Sequence, residues 1–272
     1  MEKRERVIKM EALKLIAASA ATVICLSMNV QAGISDFYIT DASGLVYEVD
    51  GGTLEATEVI QLENASSIHE IMYMGDNQLM YNVFGLLSVT DLVTGVTQDV
   101  FNVRDHLGPG IHDANGLAMT DSGDIYLSVR SQDPQSSSDY GALINIENQS
   151  FTALAEFSQR EFYLDNHQVE ENLFLSADWL GGTIDMVNTS TGDILSEMSF
   201  GFDPVSFFEA DGAVYVIAKE GGLYTFDYLA GTVDYLGDVS GAGTSIIGAT
   251  VPAPGSLAFL GFAGIAAARR RR

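Results

Sequence analysis

Cysteine is almost missing from this chain of 272 residues: there is one, Cys25, inside an apolar N-terminal stretch. Everything after residue 32 is free of thiols, which excludes disulfides, thiolate metal sites and cysteine nucleophiles there. Basic residues are nearly as scarce. Between residues 33 and 250 only Arg104, Arg130, Arg160 and Lys219 stand against 34 acids, a net charge of −30. Such a surface repels nucleic acid and anionic lipid, so no nucleic-acid partner is expected. It suits divalent cations, or a salty medium that screens charge within about 10 Å. No phosphate loop, HExxH, GxSxG or nucleotide fingerprint is present. Trp179 is the only tryptophan, and it reads as blade-edge packing or as a sugar-stacking platform. Helical periodicity is lacking from residue 33 to 250. Short apolar runs parted by Gly, Asp and Asn turns take its place, an all-β pattern.

The two ends differ from this middle. Lys3, Arg4, Arg6, Lys9 and Lys14 precede a mostly apolar run from Leu15 to Val30. Val30-Gln31-Ala32 offers small residues for signal peptidase, with cleavage between Ala32 and Gly33. Residues 1–32 therefore read as a secretory signal, with an uncleaved anchor as the rival. At the other end, Val251-Pro252-Ala253-Pro254 stops regular structure. Residues 255–268 carry no charge, and Arg269, Arg270, Arg271 and Arg272 follow. As a helix rising ~1.5 Å per residue the apolar part spans roughly 20 Å. A hydrocarbon core is about 30 Å thick, so this transmembrane helix is short, and its arginines are expected to stay cytoplasmic. A plain membrane anchor is the simpler reading.

The order of proline motif, short helix and arginine cluster resembles the PEP-CTERM sorting signal of Gram-negative bacteria. The resemblance covers residues 251–272. It implies recognition by an exosortase, cleavage near the proline motif, and a host that makes exopolysaccharide, itself then a candidate partner. Ala253 stands where that family has Glu, and an enzyme that reads the carboxylate would process this tail weakly.

Residues 33–250 contain a repeat. A glycine opens a run at Gly44, Gly85, Gly141, Gly182 and Gly221. An aliphatic residue follows two places on, and an acid or amide six places on: Asp50, Asp91, Glu147, Asn188 and Asp227. A strand precedes each glycine, and another opens most units. Four strands in roughly 40 residues match a propeller blade. The expected fold is thus a five-bladed β-propeller. Its first blade lacks an opening strand, which Thr244–Thr250 would supply to close the ring. An open sandwich or barrel is the alternative. The stretch Asn115–Leu127 resembles one blade of NHL or lactonase-like propellers.

Polar residues gather near the blade-opening strands: His69, His112-Asp113-Ala114-Asn115, Asp165-Asn166-His167 and Asp203. Such strands face a propeller's central channel. His112, Asp113, Asn115, His167 and Asp203 form a candidate metal set, with Ca²⁺ the ion that suits carboxylate and amide oxygens. Lactonase-like propellers use a channel metal to polarise a carbonyl. The competing reading has these side chains capping loops and bonding backbone. His106, in a loop, receives no role. The leading expectation is an exported binding or structural protein of a cell surface or exopolysaccharide matrix. The alternatives are a metal-dependent propeller hydrolase and a salt-adapted acidic surface protein.

Overall fold

The computed structural model describes residues 34–63, 68–107, 112–131, 139–157, 163–178, 181–243 and 245–252. The expected N-terminal signal, Trp179, Ala253, Pro254, the expected helix at 255–268 and the arginine cluster lie outside these residues, as do the side chains of His69, His112 and Asp113. Among the described residues no helix is long and apolar enough to cross a membrane.

Among the described residues, twenty strands form five four-stranded antiparallel sheets. Blade 1 contains β1 (Phe37–Asp41), β2 (Leu45–Val49) and β3 (Ala56–Gln61). Blade 2 contains β4 (Ile68–Gly75), β5 (Gln78–Val83), β6 (Leu86–Asp91) and β7 (Thr97–Asn102). Blade 3 contains β8 (His112–Met119), β9 (Ile125–Ser131), β10 (Tyr140–Asn145) and β11 (Ser150–Glu156). Blade 4 contains β12 (Tyr163–Glu170), β13 (Leu173–Asp178), β14 (Thr183–Asn188) and β15 (Asp193–Ser199). Blade 5 contains β16 (Pro204–Ala210), β17 (Ala213–Ala218), β18 (Gly222–Asp227) and β19 (Thr232–Asp238). The last strand, β20 (Ile246–Thr250), returns to pair with β1 and completes blade 1. The five-bladed propeller with late closure is therefore the fold.

The repeat has a hydrogen-bond basis. The first N–H after the outer strand donates to the carbonyl of the turn glycine: Leu62 to Gly44, Val103 to Gly85, Val239 to Gly221, at 2.8–3.0 Å. In blade 3 the acceptor is Asp139, from Phe157 at 2.7 Å. The expected Gly141 thus sits two residues past the equivalent position, inside β10. Its hydrogen faces the Tyr126 ring, which a Cβ would approach to 2.7 Å. The turn amide of this blade is accordingly Asn145, which accepts from Asn148 N at 3.0 Å, and not Glu147. Elsewhere the turn acids behave as expected. Asp50, Asp91, Asn188 and Asp227 each accept backbone N–H bonds two and three residues on.

The apolar positions two residues past the turn (Val46, Leu87, Ile184, Leu223) are fully buried. They join clusters between neighbouring blades, such as Met80, Leu87, Phe101, Leu117 and Leu127 between blades 2 and 3. Each such side chain contributes roughly 1.5–3 kcal/mol. All five outermost strands carry one extra residue relative to their partner, a bulge opposite the start of the neighbouring strand in blades 1, 2, 3 and 5 and about two residues further along in blade 4. Bulges bend an edge away from foreign strands, which protects the rim of the ring.

Candidate functional site

The innermost strands β4, β8, β12, β16 and β20 surround the axis, and polar residues cluster along them. Glu70, Asp165 and Ser206 each stand third in their strand, in blades 2, 4 and 5. Their exposures are 0, 2 and 0 %. Asp165 is an acceptor on every side. Its Oδ1 takes Asn166 N at 2.6 Å. Its Oδ2 takes Phe207 N at 2.6 Å and the Ser206 hydroxyl at 2.9 Å. These are lengths of bonds to a charged oxygen. Glu70 differs: Oε1 takes Ile71 N at 2.8 Å, and buried Oε2 receives no donor. A buried carboxyl oxygen that accepts no hydrogen bond is the one to carry a proton. Above about pH 7 the pair is one carboxylate, Asp165, and one carboxylic acid, Glu70, bonded to each other.

The electrostatics agree. Burial, then the charge of Asp165, lifts the Glu70 carboxyl well above its ordinary range. Burial raises Asp165 to about 7, against the pull of its donors Phe207, Ser206 and Asn166 and of Glu70. Glu70 is therefore the last of the two to ionise.

The same polar residues join the blades. Asn82 of β5 donates its amide to Ala114 O of β8. Ser128 of β9 donates to Asn166 Oδ1 at 3.1 Å. Ser206 and Phe207 of β16 bind Asp165 of β12. Ala249 N of β20 donates to Ser206 Oγ at 2.8 Å. Tyr73 N of β4 donates to Thr250 Oγ1 at 3.0 Å. Every one of the five blade junctions thus has a polar stitch.

Of the candidate metal set, Asn115, His167 and Asp203 have described side chains, and these three fall in different surroundings. Asn115 is 2 % exposed at the axis, and its Oδ1 receives no donor. Gly116, at φ +65°, presses against the Asn166 amide. His167 lies on β12 with Nε2 3.9 Å from Glu209 Oε2. Burial lowers its pKa to about 4, so the imidazole is neutral near pH 7. Asp203 is exposed just before β16, near Gly182. Among the described residues no three of His, Cys, Asp and Glu are grouped to hold a metal ion. Sequence reasoning placed Asp165 on an inner strand but passed over Glu70 and Ser206. Their shared third position in the inner strand was the available signal.

No family model and no curated protein matches the chain. Solved structures do. A protein of unknown function from Bacteroides caccae aligns with a TM-score of 0.50 at 10% identity, over 75% of this chain and 73% of that one. The calcium-binding protein regucalcin from Agrobacterium tumefaciens aligns at 0.43 and 13%, over 74% and 68%. Virginiamycin B lyase from Staphylococcus aureus aligns at 0.42 and 10%, over 77% and 71%. These likenesses concern the fold; at such identities an activity does not follow from them.

Proposed function

We propose that residues 33–250 are a binding and scaffold module, carried by the terminal segments to the cell surface or the surrounding matrix. The supporting observation is the use of the axial polar groups. Glu70, Asn82, Asp165, Asn166 and Ser206 are at most 3 % exposed and are spent on joining blades. A propeller whose axis is occupied in this way offers its outer faces to partners. The order of motifs at 251–272 supports the address. Peptide mass spectrometry of the C-terminus, from envelope and medium fractions of the native host, tests it. A terminus near Val251–Gly255 in the surface or medium fraction is expected. An intact Arg272 confined to the inner membrane would overturn delivery.

A second reading is a hydrolase that uses a divalent cation. A buried oxygen without a donor, Asn115 Oδ1, favours it, because amide oxygens suit Ca²⁺. When bound, the ion would polarise a carbonyl. Calorimetric titration with Ca²⁺ decides: stoichiometric binding lost in Asn115→Ala supports this reading, and absence of binding removes it.

A further inference from the structure

Blade 5 carries a run of aromatic rings that the axial site does not use. Phe202 stacks on Tyr224 at 4.2 Å and 8°. Phe200 lies 5.9 Å from Phe202, and Tyr235 lies 5.3 Å from Tyr224. The run begins in the segment after β15 and ends on the outermost strand β19. Gly222 makes room for it: a Cβ there would stand 3.0 Å from the Tyr224 ring. Burial falls along the row. Phe226, beneath it, is 4 % exposed, Phe202 and Tyr224 are half-buried, and Tyr235 is 56 % exposed. Core packing accounts for Phe226 and Phe200, which meet edge to face at 5.6 Å. It does not account for a tyrosine held open on an outer strand.

The neighbours of these rings are acids. The Asp238 carboxylate meets the Tyr235 hydroxyl and holds that phenol above its ordinary range. Glu220 and Asp238 both bear on Tyr224, and both are exposed. Open aromatic faces bordered by carboxylates are the chemistry that receives a pyranose: axial C–H groups lie on the ring and the carboxylates take hydroxyl or ammonium hydrogens. The domain's net charge of −30 excludes a polyanion from this face.

We propose that Phe202, Tyr224 and Tyr235, with Glu220 and Asp238, form a binding platform for a glycan of amino-bearing pyranoses. The proposal rests on the binding-module reading and gives its ligand class. Calorimetric titration of the full-length chain with a β-1,4-glucosamine hexamer tests it, with a neutral glucose hexamer of the same linkage for comparison. The glucosamine hexamer should bind more tightly. Tyr235→Ala should weaken binding about tenfold, the loss of one ring contact, and Tyr235→Phe by much less. Asp238→Asn should narrow the gap between the two hexamers. Two results overturn it: no binding of either hexamer by a chain of unchanged melting temperature, or Tyr235→Ala altering the oligomeric state instead of the affinity, which would make the platform a contact between copies. Delivery, tested by C-terminus mapping, stands or falls separately.

Discussion

Glu70→Gln should make the protein more stable at pH 8 and leave it unchanged at pH 4. Glutamine keeps both bonds of the acid form, a donor toward Asp165 and an acceptor for Ile71 N, and has no proton to lose. In the wild type, Glu70 stays protonated in the fold while the unfolded chain is ionised above its ordinary range. The unfolded state then binds fewer protons, so stability falls as pH rises, by about 1.4 kcal/mol per pH unit for this one group. Above pH 7, where Asp165 at about 7 is past the midpoint of its own change, the variant escapes that loss. For a domain of this size each pH unit so escaped corresponds to a melting-temperature difference of roughly 3–6 °C. Asp165→Asn should behave oppositely. Its amide would face donors that now point at a carboxylate, Asn166 N on one oxygen or Phe207 N on the other. A buried bond so inverted costs roughly 1–3 kcal/mol, more where the lost acceptor was charged, so the cost is greatest above about pH 7, where Asp165 is ionised. Melting curves by circular dichroism at pH 4, 7 and 8 and constant salt measure both. Equal pH slopes for wild type and Glu70→Gln, or an Asp165→Asn chain as stable as wild type, would refute the assignment of the proton to Glu70.

Three further outcomes are expected. His167, held neutral down to about 4 in the fold, takes up a proton on unfolding below about 6.5, so it removes stability as pH falls through that window; His167→Gln should flatten this acid limb in the same melts. Gly116→Ala places a Cβ on the Asn166 amide at a φ of +65°, and should abolish soluble, cooperatively melting protein, whereas Gly212→Ala, whose Cβ meets nothing within 4 Å, should cost only the roughly 1–2 kcal/mol of its left-handed backbone. A chain ended at Pro252 should melt like the parent, and one ended at Ser245 should aggregate, because it leaves β1 without β20; light scattering distinguishes the two.

The blades were legible because their turns make local demands. Gly44, Gly85, Gly182 and Gly221 adopt positive φ, and the acid or amide six residues on binds the next turn. Gly141 misled the count because its reason is not local: it answers to a tyrosine on the neighbouring strand. The axial pair was hidden for the same cause. Glu70 and Asp165 come from blades 2 and 4, and nothing beside either residue announces the other. Asn115 and His167 were rightly placed on inner strands, but which side chains turn toward one another depends on bulges at 115–118 and 163–165.

The return of the chain to its first blade has a kinetic consequence. The bond from Tyr73 to Thr250 closes 177 residues at once. Closing a loop of that length costs on the order of 4–5 kcal/mol of chain entropy before any contact rewards it. β1 is made early and its partner is made almost last, so through most of synthesis one edge of the growing stack has no neighbour. Folding should be slow for a chain of this length, and a holding factor that masks β1 should raise the yield more than one that speeds individual blades. Because Thr250 is followed directly by Val251 and Pro252, a cut after the closing strand would leave the finished ring shut.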